Sequence, residues 1–213
     1  VDRVEFFAPG GGFCVGPNRD DPAGAGVSGS SALMSASAAV LARYTGRKLS
    51  REEVRVIAQN VEAQLRQVPT GCQDYYPALY GGLSAIHLDP DGVDREHLAI
   101  DHDEVKRRFV ICYTGEPRHS GINNWEVFKR HIDGDPEVFA IFEHIRAAAV
   151  GVRTALLAND WKALADTMRA AYPNRKRLAP GITTPQMDHL VEQALAHGAE
   201  AAKVCGARGG GCI

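Results

Sequence analysis

The sequence lacks the features that mark several large classes of protein. Its five cysteines are odd in number and form no CxxC pair, so they favour a reducing cytoplasm over a disulfide framework or a zinc knuckle. No apolar run approaches the ~18 residues of a membrane helix, and no signal-peptide pattern stands at the start. A net charge of −2 argues against a nucleic-acid surface. We therefore expect a cytoplasmic globular protein that binds neither membranes nor nucleic acid.

Helix signals dominate the first half of the chain. Residues 30–44 predict a helix with small side chains, and Ser50 with Glu53 forms a capping box at the start of a second helix. The stretch "LSAIHL" predicts a strand, and residues 89–108 are polar and rich in turn formers. The second helix has one apolar stripe, formed by Val54, Ile57, Ala58, Val61 and Leu65.

The second half mixes helices and strands. "RFVICYTG" and "AAKVC" predict strands, while Asp135-Pro136 and Thr184-Pro185 are typical helix starts and Asn159-Asp160 marks a break between helices. Because strands and helices do not alternate regularly, the pattern favours an α+β fold over a doubly wound sheet. We predict two lobes, residues 1–104 and 105–213, divided near the polar segment.

A glycine-rich loop precedes the first helix and offers a candidate anion site. It contains Gly24, Gly26, Gly29, Ser30 and Ser31, which place unpaired amides at the positive end of a helix dipole. A flexible turn capped by serine explains the same composition equally well. The loop has no lysine and no GxxxxGK[ST] pattern, so it is not a P-loop. "GAGVSG" matches GxGxxG, but no βαβ unit surrounds it, which disfavours a Rossmann site.

Three separated motifs resemble the GHMP kinases, a family of small-molecule kinases. These are "PAGAGVSGSSAL", "VEAQLRQVPTGCQDYYPALYGG" and "AKVCGARGGGC", in the order in which the family has them. The intervening "CYTGEPRHSG" and "RKRLAPGITTPQMDHL" look most like the branch that acts on heptose phosphates and related sugars. The resemblance implies a two-lobed fold with an N-terminal α/β lobe and a ferredoxin-like C-terminal lobe.

The resemblance implies roles for individual residues. Asp74 matches the catalytic aspartate that orients or deprotonates the acceptor hydroxyl, and it also contacts the substrate. Glu62 matches the acidic magnesium ligand, and Ser30 matches the loop serine that shares the metal. Gly209 and Gly210 lie in the third motif and match substrate-binding positions. Without the motifs, Glu62 reads as a solvated flanking residue and Asp74 as a helix cap.

The resemblance implies an ATP-dependent, Mg²⁺-dependent sugar kinase, with the anomeric hydroxyl of a heptose 7-phosphate as the leading acceptor. A non-catalytic nucleotide- or sugar-binding relative, or an inactive fragment of such a kinase, stays open as an alternative, and the oligomeric state is not predicted. The match covers about two-thirds of a typical two-lobed member. Two residues depart from the motifs: Ser28 stands where the loop normally has glycine, and Arg208 interrupts the third motif. Lys176 and Arg177 are a candidate pair for a sugar phosphate.

Overall fold

The computed structural model describes residues 25–67, 69–116, 122–206 and 210–213. The chain divides into two compact units, the first containing Val27–Leu98 and the second containing Ala99–Ile213 together with Ala25 and Gly26. The predicted lobe boundary after residue 104 falls inside a helix of the second unit, and the lobe assignment stays a prediction. Gly24, Arg208 and Gly209 lie outside the described residues, so their predicted roles also stay predictions.

In its described residues, the first unit combines three helices with one β-hairpin. The elements are α1 (Gly29–Tyr44), α2 (Arg51–Arg66), α3 (Tyr75–Tyr80), β1 (Leu83–Asp89) and β2 (Gly92–Leu98). The strands pair antiparallel, with Leu83 opposite Leu98 and Asp89 opposite Gly92. The predicted capping box is confirmed, because Ser50 Oγ accepts from the Glu53 amide at 3.2 Å and the Ser50 amide donates to the Glu53 carboxylate at 2.7 Å.

Strand β2 was not predicted. Its sequence, "GVDREHL", is mostly polar and lies in the segment that composition alone marks as a turn-rich boundary. The hairpin forms because the tight turn brings this segment beside β1, where Leu98 is buried opposite the buried Leu83. Pairing with an apolar neighbour therefore outweighs the weak intrinsic strand preference of the segment.

The buried face of α2 differs from the predicted stripe. Val54, Ala58 and Glu62, spaced four residues apart, are buried, whereas Ile57 and Leu65 are 39% and 73% exposed. Tertiary packing decides the difference: this face meets α1 and α3, including the fully buried Tyr75. A carboxylate thus occupies a core-facing position of α2, and such a position requires a hydrogen-bond partner.

The second unit is largely helical in its described residues. Its helices are α4 (His102–Arg108), α5 (Ile122–Ile132), α6 (Pro136–Leu157), α7 (Trp161–Leu178) and α8 (Pro185–Ala196). The predicted starts are confirmed: Asp135, Asp160 and Thr184 cap α6, α7 and α8 with side-chain hydrogen bonds. None of the described helices is both long and apolar enough to cross a membrane.

Neither "RFVICYTG" nor "AAKVC" forms a regular strand in the structure, so both strand predictions of this unit are wrong. Cys112 and Ile213 exchange backbone hydrogen bonds at 2.9 Å, and Tyr113 forms an isolated bridge with Cys212. Gly210 and Gly211, directly before Cys212, have φ of 101° and 87°, so they do not continue the extended backbone. A core lies beside these segments, formed by Val127, Val138, Ala179, Ile182, Met187 and Val204.

Candidate functional site

Within the described residues, the N-terminus of α1 has no side-chain cap. Ser28 occupies the N-cap position, yet its side chain makes no capping hydrogen bond, and the first turn contains no acidic residue. The helical pattern begins with the Ala32 amide, which donates to Ser28 O at 3.0 Å. Three amides come before Ala32 in the helix, those of Gly29, Ser30 and Ser31. They have no carbonyl acceptor within the helix, and they point along its axis. This geometry suits a bound anion.

Ser28 is held in a conformation that L-residues rarely adopt. Its φ is 64° and its ψ is 23°, in the left-handed region, where a non-glycine residue costs roughly 1–2 kcal/mol. Its Oγ is buried and has no hydrogen-bond partner within the described residues. The left-handed backbone at this position explains why the family motif normally has glycine where this chain has Ser28. Strain together with an unsatisfied buried hydroxyl is typical of functional loops.

Gly26 and Gly29 meet different requirements. Gly26 has φ of 80°, so its position requires glycine for backbone reasons. Gly29 is helical, and a Cβ built there would meet nothing within 4 Å. Neither backbone strain nor crowding by the described residues therefore explains Gly29. A glycine here would let a ligand approach the backbone closely.

Glu62 lies in a buried hydrogen-bond network, not on a solvated flank. Its side chain is 6% exposed; Oε2 accepts from the Tyr75 hydroxyl at 2.5 Å, and Oε1 lies 3.6 Å from Arg66 Nη1. The Ser31 and Thr70 side chains lie close enough to Tyr75 to affect its pKa. Burial, and next the bond to Glu62, raise the pKa of Tyr75, while these two side chains lower it. The Tyr75 phenol thus joins α3 to α2 by a hydrogen bond and lies near the start of α1.

Asp74 immediately precedes Tyr75 and occupies the N-cap position of α3. It does not act as the helix cap, because its φ and ψ are helical and its side chain makes no capping hydrogen bond. Its Oδ1 atom is buried. The turn before it is held by backbone bonds from Tyr75 to Cys72 and from Tyr76 to Gln73, both 3.3 Å. The carboxylate is therefore set on a short, hydrogen-bonded turn beside the network.

A second group of side chains supports α3 and was missed from the sequence. Glu52 accepts from Arg55 at 2.7 Å, from Tyr80 at 2.8 Å and from Tyr76 at 3.4 Å. Burial raises the pKa of Glu52, but these hydrogen bonds outweigh it and hold that pKa below its usual value. Burial also raises the pKa of Tyr76 to about 12 and that of the Cys72 thiol. The two adjacent tyrosines after Asp74 are the feature of the sequence that could have indicated this group.

The proposed magnesium ligands have different environments. Glu62 supplies a buried carboxylate and Ser30 an exposed hydroxyl, both hard oxygen donors of the kind that Mg²⁺ prefers. It is the neighbouring Ser31, however, that lies close enough to Tyr75 to lower its pKa. The described residues contain no cluster of three or more His, Cys, Asp or Glu side chains fit to hold a metal alone.

The third glycine motif is partly described. Gly210 is buried, and its amide donates to Met187 Sδ at 3.3 Å, while the Gly211 amide donates to Glu116 O at 2.8 Å. These contacts tie the motif to α8 and to the extended segment after α4. The structure therefore gives the described glycines of this motif a packing role, and their predicted contact with substrate stays a prediction.

Two family models match the chain. The model for the GHMP kinases N terminal domain matches residues 6–82, and the model for GHMP kinases C terminal matches residues 152–213. The chain belongs to the GHMP kinase family. The first match includes the start of α1, Glu62 and Asp74, and the second includes the third glycine motif. The predicted family and the predicted α+β fold class are both confirmed.

Individual relatives support the same family. The chain is 24% identical over 203 residues to D-glycero-alpha-D-manno-heptose 7-phosphate kinase of Campylobacter jejuni, covering 93% of this chain and 59% of that protein. It is 30% identical over 176 residues to glucuronokinase 1 of Arabidopsis thaliana, covering 78% and 47%. A crystal structure of Lactococcus lactis galactokinase with galactose has the same fold, with a TM-score of 0.73, 19% identity, and coverage of 90% and 57%. The chain thus spans between 47% and 59% of these proteins.

Proposed function

We propose that this GHMP kinase transfers the γ-phosphoryl group of ATP to a hydroxyl of a sugar or a related small molecule. The observation that supports the proposal is the start of α1, where Ser28 makes no capping hydrogen bond and Ser31 lies near Tyr75, which donates to Glu62 and directly follows Asp74. In this proposal, the helix start binds an anion and the Asp74 carboxylate accepts a proton within the same unit. The names of the relatives, which are sugar and mevalonate kinases, favour the same reaction class.

The nucleotide phosphates bind, in this proposal, to the glycine loop from Gly24 to Ser31. Backbone amides and the helix dipole supply the attraction, so no lysine is needed in the loop. Glu62 and Ser30 hold Mg²⁺ together with phosphate oxygens. When bound, the ion neutralises charge on the phosphates. Most of the catalysis then consists of positioning and charge neutralisation, as is general for phosphoryl transfer.

Asp74 acts as the general base. The acceptor hydroxyl gives its proton to the Asp74 carboxylate while its oxygen forms the new bond to the γ-phosphorus, and the bond from that phosphorus to the ADP oxygen breaks. The short turn that carries Asp74 limits its movement. The favoured acceptor is the anomeric hydroxyl of a heptose 7-phosphate, because a heptose 7-phosphate kinase covers 93% of this chain.

An ADP-release assay tests the proposal. ATP and Mg²⁺ are supplied with a panel of acceptors: D-glycero-D-manno-heptose 7-phosphate, galactose, glucuronate and mevalonate. We expect turnover with a sugar and the highest kcat/KM with the heptose phosphate. Binding of ATP by calorimetry without turnover of any acceptor would instead support the non-catalytic alternative. Turnover of mevalonate alone would contradict the sugar assignment.

A further inference from the structure

The two carboxylate oxygens of Glu62 have different partners. Oε2 accepts a hydrogen bond from the Tyr75 hydroxyl at 2.5 Å, and Oε1 lies 3.6 Å from Arg66 Nη1. The Glu62 side chain is only 6% exposed, so both partners compensate a charge that has lost most of its hydration. A metal that binds Glu62 must therefore reach one of these oxygens past its present partner.

The Tyr75 side of the carboxylate is closed. Tyr75 is fully buried, and its amide donates to the carbonyl oxygen of Cys72 at 3.3 Å, which fixes the start of α3. A buried phenol that loses its acceptor is left with an unsatisfied hydroxyl, and this is unfavourable. Oε2 therefore keeps its bond to Tyr75 and faces the interior of the unit.

The Arg66 side of the carboxylate is open. Arg66 is the last residue of α2, its side chain is 32% exposed, and the helix ends at Gln67, whose φ is 52°. A partly exposed ion pair of this kind contributes little to stability. The Arg66 side chain can therefore move into solvent without unfolding the helix, and Oε1 becomes accessible.

Charge makes this exchange necessary. Mg²⁺ binds carboxylate oxygens directly, and a guanidinium held at the same oxygen repels it. Before Mg²⁺ binds, Arg66 supplies the positive charge that the buried Glu62 carboxylate requires. The metal supplies that charge once it is bound, so Arg66 and Mg²⁺ are alternatives at Oε1.

We propose that Tyr75 fixes Glu62 so that only Oε1 is presented to Mg²⁺, and that Arg66 is the cation that the metal replaces at this oxygen. The inference rests on the proposed function, in which Glu62 is a ligand of the metal. Tyr75 and Arg66 are then positioning residues that act through Glu62. Their effects have opposite signs: Tyr75 favours metal binding, and Arg66 opposes it.

The magnesium dependence of ADP binding measures both effects without catalysis. Calorimetry gives the Kd for ADP in EDTA and in excess MgCl₂, and the ratio of these values, the magnesium factor, is the coupling between metal and nucleotide. We expect Tyr75→Phe to lower this factor by about 10-fold, because hydrogen bonds to metal ligands support metal affinity to this extent. Arg66→Gln should raise it by about 2- to 5-fold, in line with the strength of partly exposed ion pairs.

Two substitutions are matched controls. Tyr76→Phe removes the neighbouring buried hydroxyl, which lies 3.4 Å from Glu52 and serves a different carboxylate. Arg43→Gln removes a basic side chain from the last turn of α1, as Arg66→Gln does from the last turn of α2. Both controls should leave the magnesium factor at the value of the parent.

Thermal melts provide a second readout. In EDTA, Tyr75→Phe and Arg66→Gln should both melt below the parent, because each leaves the buried carboxylate with one partner fewer. Addition of MgCl₂ and ADP should raise the melting temperature of Arg66→Gln more than that of the parent, and that of Tyr75→Phe less, since tighter binding stabilises more. Equal rises in all three proteins would show that both residues are merely structural and would overturn the inference.

The variant Glu62→Gln separates failure of this inference from failure of the proposed function. If its magnesium factor equals that of the parent, Glu62 is not a ligand and both are wrong. If Glu62→Gln loses the factor but Arg66→Gln does not raise it, the ligand assignment stands and the exchange with Arg66 is wrong. Arg66 lies at a partly exposed helix end, so this variant decides the matter even if Tyr75→Phe fails to fold.

Discussion

Replacement of Gly29 by alanine separates stability from nucleotide binding. Gly29 is the first residue of α1, its backbone is helical, and a Cβ there meets no atom within 4 Å. Alanine is the better helix former, so the variant should gain about 0.5 kcal/mol in the free energy of unfolding. For a chain of this size that gain corresponds to a rise of roughly 1–2 °C in melting temperature.

The same methyl group should weaken nucleotide binding. It projects at the start of α1, where Ser28 makes no capping hydrogen bond to the first amides of the helix, which we assign to a phosphate. Loss of one charge-assisted hydrogen bond costs about 1.5–3 kcal/mol, which is an increase in Kd of roughly 10- to 150-fold. Gly26 is a poorer choice for this test, because its φ of 80° makes any substitution strained.

Calorimetry with ADP and with a non-hydrolysable ATP analogue measures the binding, and thermal melts measure the stability. Ser37→Ala is the matched control: Ser37 is exposed on the same helix, and its replacement also improves helix propensity without adding a group near the helix start. We expect the control to bind nucleotide as the parent does. A well-folded Gly29→Ala protein with unchanged affinity would refute the assignment of this helix start to the phosphates.

Four further predictions concern the first unit. Asp74→Asn should lower kcat by roughly 100-fold or more while the Kd for ADP stays constant, and the exposed Asp94→Asn should change neither; full activity would remove Asp74 from the mechanism. Glu62→Gln should raise the Mg²⁺ concentration at half-maximal rate, whereas an unchanged magnesium titration would contradict its role as a ligand. Tyr75→Phe leaves the buried Glu62 carboxylate without its 2.5 Å donor, so urea unfolding should show a loss of about 1–3 kcal/mol. Ser28→Gly should gain about 1 kcal/mol in the same measurement by relieving the left-handed backbone, and a loss of stability would show that the serine is not strained.

The local features of the fold were readable from the sequence. Ser50 with Glu53, Asp135 before Pro136, and Thr184 before Pro185 each begin a helix as predicted. The reason is that a cap satisfies amides two or three residues away, so all of its partners are contained in the motif itself. The start of α1 was predictable on the same grounds, since glycine and serine act there through their own backbone.

Burial and pairing were decided by the tertiary structure. The apolar spacing on α2 predicted that Ile57, Val61 and Leu65 face the core. The structure instead buries Glu62 on this helix. This is possible because α3 supplies the Tyr75 hydroxyl as the hydrogen-bond donor that a buried carboxylate needs. The network joins residues 13 positions apart, and no sequence pattern reports such a distance.

The arrangement of charges in the second unit has the same origin. Three adjacent basic residues on α7 look alike in the sequence, but Lys176 and Arg177 meet carboxylates, while Arg175 donates to the carbonyl of Gly206, 31 positions away. The sequence by itself determines how many charges a segment carries. Only packing decides which of them are neutralised, because the interaction energy depends on the distance and burial of partners from other parts of the chain.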